Sequence, residues 1–248
     1  MPAAFDSTLA PESAQAALAR ELARVTRLHD ERRANPALGA ALERLARWQA
    51  QRLRGTYADL EAQPRYAAAV RFFEADLYGG ADFAQRDADV ARIAPIMGMM
   101  LPERVIATIA DAMEVNALSQ ELDRALLARL PRGDGRFTVA EYCSAYRRMD
   151  NRPARERQIE LVAEIGAALD RFVRMPLIRG ALAMMRQPAK LAGMAVLHDF
   201  LERGFDAFRT MKGAEVFLAT IVGRETALMD AILGGATAPF PDPLPAAG

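Results

Sequence analysis

Apolar side chains recur every third or fourth residue through almost the whole chain, and that period confines it to helices. Leu18, Leu22, Val25 and Leu28 share one face of a helix expected from about Pro11 to Ala34. Asn35-Pro36 stops it and opens a second helix carrying Leu38, Leu42, Leu45 and Trp48 as far as Gly55, so the two read as an antiparallel hairpin. A third starts at Pro64, with Tyr66, Val70, Phe73 and Leu77, and ends at Gly79-Gly80. A fourth, from about Asp82, has Pro95 inside its pattern and is expected to kink there. Pro102 opens a fifth that reaches about Leu130, and Pro131-Arg-Gly-Asp-Gly135 is the strongest turn signal. Thr138 and Glu141 have capping-box spacing. Ile159, Val162, Ile165, Leu169 and Phe172 define a helix from Pro153 to Met175. Pro176 and Pro188 each read as a helix start, the latter leading into Met194, His198, Leu201, Phe205 and Phe208 as far as Gly213. A last helix ends at Gly234-Gly235. No stretch alternates as a strand does, and no nucleotide-binding glycine loop is present. The expectation is an all-α bundle of about eight to ten helices in one domain, residues 8–235. A lobe boundary, if there is one, falls at 131–137, and residues 236–248 form a loose proline-rich tail.

Composition then removes several classes of function. The 32 basic and 32 acidic residues cancel, whereas a phosphate-backbone binder shows a basic excess, so no nucleic acid partner is expected. The longest uncharged run, Ala231 to Pro241, is too short for a bilayer-spanning helix of about 20 residues. Met-Pro-Ala-Ala-Phe-Asp at the N-terminus has neither the basic start nor the apolar core of a secretion signal. A single cysteine, Cys143, suits a reducing compartment, so a cytoplasmic protein is expected. All cations except Lys190 and Lys212 are arginine and alanine is abundant, the pattern of a GC-rich bacterial coding sequence.

Metal chemistry is limited by ligand supply. A di-iron bundle needs Glu-x-x-His twice, but Thr26 and Ala195 occupy the positions three before His29 and His198. Two histidines and one cysteine fall short of a Cys/His zinc site, and no haem-attachment motif exists, so no metal or cofactor is expected; the count leaves room only for a non-covalent haem held by His and Met. His198 lies on an apolar stripe with Glu202 one turn on, which suits a general base and equally a core-edge histidine satisfied by backbone. His29, beside Asp30, Glu31, Arg32 and Arg33, reads as a surface residue.

Three further clusters have simple explanations. Asp134, Gly135, Phe137 and Glu141 match the fifth, sixth, eighth and twelfth positions of an EF-hand loop, but Leu130 and Arg132 would take its first and third and supply no carboxylate. Arg147, Arg148, Arg152, Arg155 and Arg157 interleave with Glu156 and Glu160, which reads as a solvated, salt-bridged face. Met97, Met99 and Met100 with Met184, Met185 and Met194 either fill core gaps or line an adaptable groove for an apolar ligand.

Arg71-Phe-Phe-Glu-Ala-Asp-Leu-Tyr78, followed by Asp82, Arg86, Asp87, Asp89, Arg92, Pro95 and Leu101-Pro102, resembles the signature of the bacterial FFLEELY motif proteins. Similar stretches run from Tyr142 to Gly166 and from His198 to Glu225, so the resemblance extends from about Tyr66 to Ile232. It implies a bacterial origin and one continuous fold, and supplies no catalytic residues. Within the motif, Phe72 and Phe73 should face different partners, while Arg86, Asp89 and Arg92 stand at pairing distance along a helix, fixing a corner or holding a polar ligand.

Three functions follow. The first is a non-enzymatic interaction or regulatory module with a protein partner. The second is a binder of a lipid or acyl chain among Met97, Met100, Met184 and Met185. The third is an enzyme using His198 or the Arg86, Asp87, Asp89 and Arg92 cluster.

Overall fold

A computed structural model describes residues 12–74, 83–131 and 137–243. Among them are eleven helices and no strand. The chain is all-α, as the apolar period requires.

Capping residues set most of the boundaries. Ser13 accepts the Ala16 amide and begins α1 (Ala14–Ala34). Asn35 serves two helices: its amide closes α1 on Glu31 and Arg32, and its side-chain oxygen caps α2 (Pro36–Thr56) at Leu38. A short α3 (Ala58–Glu61) leads to α4 (Pro64–Phe72). The expected end of that helix at Gly79-Gly80, the last residues of the motif and the start near Asp82 lie outside the described residues. Then come α5 (Phe83–Met100), with Pro95 inside it, and α6 (Glu103–Leu127). The EF-hand-like turn at 132–136 also lies outside the described residues. Thr138 and Glu141 form both bonds of the capping box at the start of α7 (Val139–Arg148).

The chain continues with α8 (Arg152–Phe172), α9 (Pro176–Leu191), α10 (Ala195–Met211) and α11 (Glu215–Leu233). Pro188 does not start a helix, contrary to expectation; α9 runs through it and α10 begins after Gly193, whose φ of 70° breaks the chain. The bond that Pro188 cannot donate would have gone to the carbonyl of Met184, on the outward side of a helix that buries only Ala189.

Helix α6 is the axis, packing along α1 and against α8. Arg24 on α1 reaches Glu121 on α6 with its Nε at 2.8 Å. The buried side chains gather around Trp48, around Phe208 and Phe217, and around Leu18 and Ile106. Each of the fully buried phenylalanines contributes about 1.5–3 kcal/mol. The core does not divide at 131–137, because Leu126, Leu127 and Leu130 on one side pack with Val139, Tyr142 and Cys143 on the other. Nor does the chain after Gly235 leave the body at once: Phe240 lies 5.7 Å from Trp48, ring to ring, and Arg147 donates to the carbonyl of Ala236. No helix among the described residues is long and apolar enough to cross a membrane.

Candidate functional site: an apolar chamber joined to a polar one

Helices α4, α5, α6, α8, α10 and α11 surround a cavity of about 330 Å³. Its wall is aromatic and branched aliphatic: Phe72, Phe73, Val90, Ile109, Val162, Phe200, Phe208, Phe217 and Ile221 belong to it. Gly204 sets how closely two of the wall helices approach. A Cβ on Gly204 would come within 2.9 Å of Phe72 Cζ, so glycine lets α4 lay that ring across α10, where it packs 5.3 Å from Phe200. The two motif phenylalanines thus have different neighbours, Phe72 facing Phe200 and Phe73 facing Phe217, and both border the cavity.

The methionine arrangement differs from the expectation. Met97 lines the chamber, joined by Met113. Met184 and Met185 do not, being 76% and 48% exposed on the outer side of α9. The side chain of Met100 lies outside the described residues. The helix start read at Pro176 puts 184 and 185 on α9, but only packing decides which side of a helix is inward.

Arg86 enters the same chamber from α5 with its guanidinium 4.5 Å above the Phe200 ring. Its Nε is 3.4 Å from Asp87 Oδ1, and Asp87 Oδ2 accepts from Asn116 Nδ2 at 2.7 Å and from His29 Nε2 at 2.9 Å. His29 is therefore not a surface residue: it is buried, and α1 carries it into a network spanning α5 and α6. Since a carboxylate only accepts, Nε2 of His29 carries the proton. Asp89, fully buried, accepts from Gln85 at 2.9 Å and from Arg92 at 3.1 Å, the spacing read from the sequence; the Arg92 side chain is half exposed. Asp87 thus ties α5 to α1 and α6, whereas Asp89 takes its partners from α5 itself.

His198 is 4% exposed, and its Nε2 donates to the carbonyl of Leu182 at 2.9 Å. Its Nδ1 is 3.7 Å from Glu202 and 4.0 Å from Asp199, and the ligand atoms of these three residues lie within 4.8 Å of one another. Such a set could hold a divalent cation, although Arg186 already takes Glu202 at 2.6 Å. His198 does not border the chamber that Arg86 enters, so the two expected catalytic candidates do not meet.

A second, polar chamber of about 70 Å³ adjoins the first, sharing Ser119, Gln158, Ile159 and Glu225 with it. Arg52 grips Glu225 with both terminal guanidinium nitrogens at 2.7 and 3.1 Å, and the Tyr57 hydroxyl donates to the same carboxylate at 2.7 Å. Burial would raise the Glu225 carboxyl, but Arg52 and Tyr57 hold it below the usual carboxylate range. Asp123 accepts from Gln49 at 2.9 Å, and its burial pushes its carboxyl up. Burial also raises the Tyr142 hydroxyl and pushes that of Tyr146 up to about 12.

Arg155 stacks 4.6 Å over Tyr146 and donates to Gln158 Oε1 at 3.1 Å, while Gln158 donates to Ser119 at 2.7 Å. The five-arginine cluster is accordingly not one solvated face. Arg152 and Arg157 pair with Glu156, Glu114 and Glu164 at the surface, but Arg155 is 7% exposed and turned inward. The sequence held a signal for this: Arg155 stands four residues before Ile159 on the apolar stripe of α8, as Gln49 follows Leu45 and Glu225 follows Ile221. Cys143 is fully buried in the Trp48 cluster, and burial raises its thiol, which keeps it protonated.

No curated protein and no solved structure matches the chain. The model of a family described as "Domain of unknown function (DUF8198)" matches residues 28–239, and the chain belongs to that family.

Proposed function

We propose that the protein is a non-enzymatic binder of one apolar chain, held in the chamber between α4, α5, α6, α8, α10 and α11. The observation that carries this reading is the chamber itself: about 330 Å³ walled almost wholly by hydrocarbon. Ligand pockets begin at about 300 Å³ and are mostly apolar with a few placed polar groups. Each methylene moved from water into such a space gains about 0.8 kcal/mol. The volume suits a single medium-length chain better than the paired chains of a diacyl lipid. The test is native mass spectrometry of the purified full chain before and after delipidation, with titration by dodecanol. A saturable one-to-one adduct is expected; no saturable binding would sink the reading.

A second reading, a protein-interaction module, is favoured by the outward face of α9. Leu177, Met184 and Leu191 follow at seven-residue spacing and are 85%, 76% and 89% exposed. Such a stripe suits the same helix of a second copy across a twofold axis. Sedimentation would show a dimer that Met184→Glu dissociates; a wild-type monomer at all concentrations would dismiss it. The arginine bias and lone buried thiol support a bacterial cytoplasmic setting for either reading.

A further inference from the structure

The guanidinium of Arg155 is occupied on its face by Tyr146 and at Nη1 by Gln158, but Nε and Nη2 have no hydrogen-bond partner among the described residues. These two N–H groups lie along one edge and point the same way, the geometry that receives both oxygens of a carboxylate. A cationic edge on a side chain that is more than nine-tenths buried is a costly arrangement unless an acceptor meets it.

The other charges of the polar chamber are already answered. Glu225 is held by Arg52 and Tyr57, and Asp123 accepts from the Gln49 amide, so the hydrogen bonds of both carboxylates go to groups other than Arg155. Arg155 is therefore the cation whose donors are left unspent, although Asp123 and Glu225 both stand within its field, in a compartment that shares its Gln158–Ser119 wall with the hydrocarbon chamber. Arg86 borders the same hydrocarbon, but its Nε is already spent on Asp87.

We infer that Arg155 is the headgroup receptor of the protein, binding the carboxylate of a fatty acid whose alkyl chain occupies the apolar chamber. Tyr142 and Tyr146, both lining the polar chamber, supply hydroxyl groups around the head, and Gln158 and Ile159 form the passage between head and chain. This inference rests on the apolar-chain reading and adds to it the class of ligand.

The experiment compares dodecanoate, dodecanol and acetate on the delipidated full chain at neutral pH. Trp48 is the single tryptophan and packs 4.6 Å, ring to ring, from Tyr142 of the polar chamber, so its fluorescence reports on that chamber without a label. Dodecanoate should bind at least about tenfold more tightly than dodecanol, the effect of a buried bidentate charged pair. It should perturb Trp48 where dodecanol does not, and acetate should fail to compete. In Arg155→Gln the acid should lose its preference while dodecanol still binds; Arg155→Lys, which keeps the charge but not the paired edge, should fall between.

Equal binding of acid and alcohol by the wild type would overturn the headgroup assignment and leave the apolar-chain reading standing. Failure of both to bind would overturn the two together. A folded Arg155→Gln protein that keeps the preference, or loss of it in Arg86→Gln alone, would place the head elsewhere and overturn the assignment. Should Arg155→Gln fail to fold by circular dichroism, the wild-type comparison and the Trp48 signal still decide.

Discussion

Filling the apolar chamber from its own wall should stabilise the protein and expel its ligand. Ala112 lies on α6 at the chamber wall, and Leu at that position adds three carbon atoms pointed into open space. At about 0.8 kcal/mol per methylene-sized group the transfer gain is about 2.4 kcal/mol, from which about 0.5–1 kcal/mol of side-chain entropy is lost. The net is about 1.5–2 kcal/mol. For a chain of this length that corresponds to a rise of about 3–8 °C in Tm. Differential scanning calorimetry of wild type and Ala112→Leu, each with and without dodecanol, reads both consequences. The variant should melt higher without ligand, and dodecanol should raise its Tm by much less than it raises that of the wild type. A lower Tm together with an undiminished dodecanol shift would refute the reasoning, because it would mean that the space beside Ala112 is not open and that the ligand sits elsewhere.

Asp87→Ala takes from the buried Arg86 and His29 and the half-buried Asn116 the acceptor they share and should cost about 3–5 kcal/mol in urea unfolding, far more than an exposed carboxylate would. Thr138→Ala removes the capping box of α7 and should cost about 1 kcal/mol, or about 2–4 °C in Tm. Glu225 has a depressed folded pKa, so its contribution is full above the usual carboxylate value of about 4.3 and is lost as the pH falls through the lower folded value; Glu225→Gln should flatten that acid limb of the stability profile. Asp123 has the opposite sign. Its folded pKa is raised, so Asp123→Asn should be more stable than wild type at neutral pH, and the advantage should shrink as the pH falls through the raised value toward the ordinary one.

The candidate site was only partly legible in the residue order. Arg86, Asp87 and Asp89 stood out because their spacing along one helix is a local property, and Asp89 does take Arg92 three residues on. His29, Arg155, Gln49 and Glu225 were missed for the opposite reason. For His29, Gln49 and Glu225, whether a polar residue on a helix meets water or another helix depends on a partner 58 to 173 positions away, as in His29 with Asp87 and Arg52 with Glu225. Charge next to charge in sequence looked like a solvated surface, yet Arg155 is buried between two exposed arginines: Arg157, two positions on, points well away from it, and Arg152, at the start of α8, pairs with Glu156 at the surface. The methionines failed similarly: Met97 lies inward and Met184 outward on helices that the pattern alone could not orient.

What the sequence determined by itself was therefore the set of elements. The three-to-four-residue apolar period, Asn35-Pro36, and the Thr138 and Glu141 pair act within one or two turns, and they suffice to make the chain all-helical and to place most helix ends. Tertiary structure alone decided that six of those helices stop short of closing on one another. Fits between distant helices, such as Phe72 against Gly204 and Leu218 against Gly166, set the wall of the apolar chamber, and they bury Arg155 in the polar chamber beside it. A cavity is a failure of side chains from different helices to fill a shared volume, so no single stretch of the chain could have announced it.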